Sequence, residues 1–306
     1  MKKFDVIVVG DANPDLIFTG FDRLPAMGQE IFTKGLFLNI GGGAALCAAG
    51  LAKLGLKVRL IAAVGNDFYG DFIVSELQKL GIDTTLILRS TRNNTGLTVA
   101  LTDSNERAFI TYKGANGEIL LEDIDPEIIK DARHVHILGY CKETHGNFKA
   151  LVEKAKASGL SVSFDVGWDS TQEWDKRIFE LLSLVDIFMP NEIEALSYTM
   201  SKSAEAALEI LSKYVPTAAI KLGSRGSIGK RNGVVARRPP FKIDTVDTTG
   251  AGDSFNAGFI YSYINNFSID DSLLWGNACG ALSTTSFGGN TAFPSLNELK
   301  AFIGKK

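Results

Sequence analysis

Val6 to Val9 (Val-Ile-Val-Val) is β-branched at every position. A run with no polar alternation fits a strand covered on both faces. Residues 44–54 are apolar nearly all round and stop at Gly55, the pattern of a buried helix. Val58 to Val64 predicts the next strand, and Phe72 to Leu80 a helix stopped by Gly81. The rhythm resumes with a strand at Arg133 to Leu138 and a helix from Phe148 to Ala157, ended by Gly159. Further strands are expected at Leu160 to Val166, Leu184 to Met189 and Thr217 to Leu222, with helices at Ala204 to Tyr214 and Asn256 to Ile264. Strands alternating with helices predict an α/β fold, a largely parallel sheet with helices on both faces.

Two stretches break this rhythm. Leu16 to Thr19, with Glu30 to Leu38, reads as β structure. Gly96 to Thr102 and Arg107 to Tyr112 alternate around a polar turn, Asp103-Ser-Asn-Glu106, and predict a hairpin. Together they would form a small sheet apart from the main core. Such a sheet needs a ligand, a partner subunit or the body of the protein to cover its apolar side.

Composition narrows the function. The chain has 306 residues, 45% hydrophobic and 22% charged, with a net charge of −3 and no basic block. Nucleic acid is therefore not expected as a partner. Cys47, Cys141 and Cys279 are widely spaced, without a Cys-x-x-Cys pair, and read as buried thiols in a reducing compartment. No apolar run is long enough to span a membrane. A cytoplasmic protein without a membrane partner is expected.

Five short stretches carry candidate chemistry. Asp247-Thr-Thr-Gly-Ala-Gly-Asp253 leads into the helical run at residues 256–264, so three small residues sit at a predicted helix start with one carboxylate just inside it. A helix start offers unpaired N–H groups and partial positive charge, and glycines let a phosphate approach. A carboxyl at that point could take a proton from an alcohol. A capped helix after a glycine turn would look the same. Gly41, Gly42 and Gly43 open the first long helix and allow close approach or tight packing; they are not a dinucleotide fingerprint, because they follow the β insertion. Asp11, Asn13 and Asp15 lie past the first strand, where they could meet the hydroxyls of a polyol or simply make a turn. Asn191 and Glu194 are three apart and suit either the water shell of Mg²⁺ or a helix cap. Lys221-Leu-Gly-Ser-Arg-Gly226 could line a nucleotide or be a plain loop. His134, His136 and His145 do not form a metal set.

Taken in order, Gly41-Gly42, Asn191-x-x-Glu194, Lys221-Leu-Gly-x-x-Gly226 and Asp247-Thr-Thr-Gly-Ala-Gly-Asp253 resemble the ribokinase, or PfkB, family of carbohydrate kinases. The resemblance runs from Val6 to about Pro294. It implies a three-layer, doubly wound α/β fold with a small β-sheet lid. Residues 1–306 would form a single kinase domain, with the lid built from insertions at about 12–38 and 95–113. It further implies transfer of the γ-phosphoryl group of ATP, with Mg²⁺, to a hydroxyl of a sugar or related alcohol. Asp253 would deprotonate the acceptor, while Gly250, Ala251 and Gly252 supply the anion hole. Asn191, Glu194, Lys221, Gly223, Ser224, Gly226 and Asn277 would serve ATP and Mg²⁺. Asp11, Asn13, Asp15, Gly41, Gly42, Leu46 and Tyr140 would line the substrate, with Asp253. Asp247, Thr249 and Gly289 match positions that hold a monovalent cation, K⁺, in many members. Lids of this family are often shared in homodimers.

Departures from the family bear on the substrate. Leu46 stands where ribokinases place Asn, Gly43 where sugar-phosphate members tend to have Lys, and Tyr140 where ribokinases offer a carboxylate. Ala292 stands where a Ser often lies in the cation loop. A neutral sugar is the first expectation. A nucleoside, with Leu46 and Tyr140 against a base, and an acidic sugar such as 2-keto-3-deoxygluconate, met by Lys34, Arg107 or Lys113, are alternatives. A regulator without catalysis is disfavoured by the intact Asp253, and a doubly wound dehydrogenase by the missing fingerprint.

Overall fold

Val6, Ile7 and Val8 have no exposed surface, as the unbroken β-branched run requires, because strand Val6–Val9 is paired on both edges and covered on both faces. The computed structural model describes residues 2–102, 107–119, 124–140, 142, 145–169 and 171–304. The strands in chain order are β1 (Val6–Val9), β2 (Asn13–Thr19), β3 (Gly35–Gly41), β4 (Val58–Gly65), β5 (Asp83–Ser90), β6 (Leu97–Thr102), β7 (Arg107–Tyr112), β8 (His134–Leu138), β9 (Ser161–Asp165), β10 (Ile187–Phe188), β11 (Thr217–Lys221), β12 (Ser227–Arg231) and β13 (Val234–Arg238). The helices are α1 (Gly43–Lys53), α2 (Phe68–Lys79), α3 (Pro126–Ile129), α4 (His145–Ala157), α5 (Ile178–Leu182), α6 (Glu192–Thr199), α7 (Ala204–Leu211), α8 (Ala251–Ile264), α9 (Ile269–Ser283) and α10 (Leu296–Ile303).

Among the described residues the main sheet has nine strands, in the order β13-β12-β11-β10-β9-β8-β1-β4-β5. From β11 to β5 every pairing is parallel; β12 and β13 add an antiparallel edge. Helices α1, α2, α8 and α9 cover one face, packed on Val6, Val8 and Leu60. Helices α4 to α7 cover the other, packed on Ile7, Val9 and Phe164. The chain leaves β1 toward β4 and returns later to β8, so the strand order reverses beside β1. Open sheets of this kind bind ligands outside the carboxyl ends of the strands at such a reversal.

The second sheet, β3-β2-β6-β7, is the expected small one. Its boundaries differ from the sequence expectation. β3 starts at Gly35 and runs to Gly41, pairing Asn13 with Gly41 and Asp15 with Asn39, so the supposed turn at residues 13–15 is strand. The polar turn at 103–106 lies outside the described residues, as does Cys141. Helix α2 starts a turn before the expected Phe72, because Asp67 accepts the Gly70 N–H and caps it. Strand β5 escapes the pattern because it is an edge strand, with Thr84 and Arg89 interrupting its apolar positions. The β12–β13 hairpin escapes because both strands are rich in Lys and Arg, although Asn232-Gly233 between them, with φ of 50° and 84°, is a strong hairpin signal.

Candidate active site

The carboxyl edge of the main sheet collects the expected residues. Asp11 follows β1, Tyr140 follows β8, Asn191 and Glu194 follow β10, and Lys221 ends β11. Helices α1 and α8 both start at this edge. A Cβ placed on Gly43, the first residue of α1, would stand 3.1 Å from Asp253 Oδ1 in the first turn of α8.

Helix α8 opens on Gly250, which is left-handed with φ of 72°. Its backbone lies against Gly289, whose carbonyl oxygen would be 2.6 Å from an added Cβ, so only glycine fits. The first-turn amides of α8 point out of the helix end and can hold an anion. Asp253 sits within that turn and keeps part of its surface open. Burial pushes its carboxyl well above the usual carboxylate range; Lys221 opposes the shift, while Asp165, Asp11 and Asp15 add to it.

Asn191 and Glu194 form a full capping box on α6: the Asn191 side chain accepts the Glu194 N–H at 2.9 Å, and Glu194 accepts the Asn191 N–H at 2.8 Å. The same carboxyl also accepts Asn191 Nδ2 at 2.7 Å. Burial raises it to about 8, Asp165 adds to the shift, and Lys221 opposes it. Capping and a place at the sheet edge therefore coincide in one residue. The loop after β11 lies alongside: Lys221 N–H donates to the Pro190 carbonyl, and Arg225 pairs with Glu192. Gly223 and Ser224 form a tight turn, and Gly226, left-handed at φ 85°, packs on the Arg238 backbone. Asn277 of α9 donates to the carbonyls of Arg238 and Pro239, fastening α9 to the end of β13.

On the lid side, Asp11 accepts the Ala44 N–H and so caps α1. Burial raises its carboxyl, against the Ala44 and Gly43 amides. Asn13 donates to Thr98 Oγ1 at 3.2 Å and to Asp15 Oδ1 at 3.3 Å. Burial pushes Asp15 up to about 7, helped by the charges of Asp11 and Asp247 and opposed by the Thr98 hydroxyl. Gly42 packs on the Asp11 carbonyl, and Gly41 on Asp15.

Two residues expected at the substrate turn elsewhere. Leu46 is 3% exposed and packs in the α1 core, beneath Gly289. Tyr140 packs its ring against Phe148 and Phe164, and its hydroxyl meets His145 Nδ1 and donates to Asp175. Asp247 is 4% exposed; it accepts from the Thr249 N–H and hydroxyl and from the Gly288 N–H, binding residues 247–249 to the loop that carries Gly289. His134 and His136 are buried between β8 and β9, bonded to Ser161 and Ser163. No cluster of potential metal ligands occurs among the described residues.

Sequence reasoning missed Asn116, Asp165 and Asn256. Asn116 accepts the Ala12 N–H at 3.1 Å and donates to Asn13 Oδ1 at 3.4 Å. Asp165 is 4% exposed and accepts from Lys221 Nζ and Asn256 Nδ2, both at 2.6 Å. Its place at the carboxyl end of a parallel strand was the available signal. Asn116 lies in an ordinary polar turn and Asn256 inside a helix, where nothing local marks them.

Known sugar kinases share this architecture. An ATP-dependent ribose-1-phosphate kinase of Halopiger xanaduensis is 30% identical over 302 residues, covering 98% of both chains. The ribokinase of Arabidopsis thaliana, solved with ribose and ATP, superposes with a TM-score of 0.86 at 27% identity, covering 98% of both chains. An E. coli protein described as a candidate ribokinase II, solved with ATP and Mg²⁺, gives a TM-score of 0.88 at 26% identity, covering 99% of this chain and 100% of its own. The sequence model of pfkB family carbohydrate kinases matches residues 3–296, and the chain belongs to that family as a sugar kinase.

Proposed function

We propose that this kinase transfers the γ-phosphoryl group of ATP to a hydroxyl of a neutral sugar. The carrying observation is the polar set of Asp11, Asn13 and Asp15, in which Asn13 donates to Asp15 at 3.3 Å and Asp15 is 5% exposed. Burial pushes Asp15 up to about 7, and the charged groups that act most on it are the carboxyls of Asp11 and Asp247. An amide beside two carboxyls offers hydrogen bonds to hydroxyls, and the charge of Asp247 nearby disfavours a phosphate or carboxylate on the substrate. Leu46, which would favour a nucleobase, is buried in the core, and the half-buried Tyr140 turns its ring to Phe148 and Phe164.

The chain fits ATP and Mg²⁺ at the α8 end of the site. Gly252 leaves its surroundings open except for Lys221, and Asn191 with Glu194 stands beside that lysine. Bound Mg-ATP supplies the transferable phosphoryl and neutralises phosphate charge. The rest falls to the chain. Asn13, Asp15 and Asp11 orient the sugar under the lid. Asp253 takes the proton of the attacking hydroxyl, and burial makes it a stronger base than an exposed carboxylate. The amides from Gly250 to Gly252 hold the charge on the phosphoryl oxygens.

Residues 1–306 act as one kinase domain. Asp247, Thr249 and Gly289 hold a monovalent cation, supported by the burial of the Asp247 carboxylate. The lid pairs with a second copy, supported by the exposed Leu36, Ile110 and Tyr112. A cytoplasmic location is supported by the free, buried thiols of Cys47 and Cys279.

The test is a coupled assay with Mg-ATP over neutral sugars, sugar phosphates, sugar acids and nucleosides. Turnover concentrated on a neutral sugar is expected. Turnover confined to nucleosides or to charged sugars would overturn the substrate reading.

A further inference from the structure

Asp165, Asn256 and Lys221 come from β9, α8 and β11, and meet under the start of α8. Lys221 Nζ donates to Asp165 Oδ2 at 2.6 Å and to Asn256 Oδ1 at 3.4 Å, and Asn256 Nδ2 donates to the same Asp165 oxygen at 2.6 Å. The Lys221 and Asp165 side chains are only 14% and 6% exposed. A Cβ on Gly252 would stand 3.6 Å from Lys221 Nζ, so the ammonium lies beside the backbone of the anion hole. A lone lysine so placed could fold back onto other acceptors; three hydrogen bonds among three buried groups fix it instead.

We propose that Asp165 is a positioning residue: with Asn256 it clamps the Lys221 ammonium at the anion hole, where one cation serves both the Asp253 carboxyl and the phosphoryl group in transfer. This rests on the phosphotransfer reading above. The clamp has a second effect. Burial pulls the Lys221 ammonium down, but the carboxyls of Asp165 and Glu194 outweigh it and keep the lysine charged. Charged Lys221 in turn is the main influence opposing the rise of Asp253. The groups facing this set are Asp11 beyond β1, Asp15 on β2, His136 on β8, Cys47 on α1 and Glu194 on α6.

The experiment is a carboxyl ¹³C NMR titration of Asp253 in the ligand-free protein, assigned by its loss in Asp253→Asn, together with steady-state kinetics. Lys221→Met is expected to raise the Asp253 midpoint by about one unit or more. Lys221→Arg is expected to leave it nearly unmoved. Asp165→Asn removes both a negative charge and the clamp, which act on that midpoint in opposite directions, so it is read by kinetics: kcat is expected to fall about tenfold with KM for the sugar held, since a misplaced cation is felt mainly in the transition state. Asn256→Leu removes a clamp partner without removing a charge: the loosened ammonium is expected to raise the Asp253 midpoint, and a merely structural Asn256 would leave it where it is. An unmoved midpoint in Lys221→Met or in Asn256→Leu, or an unchanged kcat in Asp165→Asn, would overturn the clamp. Should Lys221→Met not fold, Asn256→Leu and Lys221→Arg decide alone: a rise in the first with no change in the second supports the clamp, and no change in either overturns it. The titration uses no sugar, so a wild-type enzyme inactive on neutral sugars would sink the substrate reading while the clamp is still decided by NMR.

Discussion

Gly41 stands directly over the Asp15 carboxyl. A Cβ on Gly41 would fall 2.0 Å from Asp15 Oδ1 and 2.2 Å from Cγ. The two residues lie on paired strands of the lid, β3 and β2, and Asp15 is only 5% exposed, so the carboxyl has little room to retreat. The glycine of the Gly-Gly motif is therefore required by a side chain as well as by any ligand.

Gly41→Ala displaces Asp15 from its bond with Asn13. KM for the sugar should rise at least about tenfold, the scale expected when a closed site is deprived of one hydrogen bond. KM for ATP should hold, because the residues proposed to serve the nucleotide lie at the other end of the site. Equal loss of both in steady-state assays would show that Gly41 supports the fold and not the sugar pocket.

Asp253→Asn keeps the shape of the first turn of α8 but removes the proposed base. kcat should fall about 10²–10⁴-fold, the usual contribution of general base catalysis. Calorimetry should find sugar binding within severalfold of wild type. A kcat within tenfold would assign the proton to another group.

The raised carboxyls of Asp15 and Glu194 link stability to pH. Folded values of about 7 and about 8 exceed the unfolded values near 4. Between about pH 4 and 8 the folded state thus holds protons that the unfolded state releases, and these two groups lower stability as pH rises through that window. Asp15→Asn should make the decline shallower between about pH 4 and 7 and raise stability at pH 8. Urea unfolding at a series of pH values measures this; parallel curves for both proteins would refute it.

Leu46→Asn restores the amide that ribokinases carry, yet here the side chain is buried under Gly289. We expect a loss of about 1–3 kcal/mol from an unsatisfied buried amide. Ribose turnover should not improve. A gain in ribose turnover without loss of stability would show that position 46 faces the sugar.

Much of this is legible along the chain. The β1 run and the helix at 44–54 follow from periodicity, and the edge strand β5 escapes it because half-exposed positions carry Thr and Arg. Asn191 and Glu194 pose cap against cofactor, and the structure shows a complete capping box at the sheet edge, so the two readings are not exclusive. A tyrosine just past a strand end, such as Tyr140, reads as a pocket residue. Its backbone does lie there, while its ring turns to Phe148 and Phe164, partners that no local spacing reveals.

The sequence alone determined the layered α/β order, the small second sheet, the helix start at residues 250–253 and the carboxyl within it. Those features depend on neighbours in the chain: glycine freedom, helix caps and runs of β-branched residues. Only the tertiary structure decided that Leu46 is buried, that the half-buried Tyr140 turns its ring to Phe148 and Phe164, and that Asn116 fastens the Asp11–Asn13 turn. It alone joined Asp165, Lys221 and Asn256. Electrostatic coupling and packing act through distance in space, and those three residues meet only because three separate connections return the chain to one edge of the sheet.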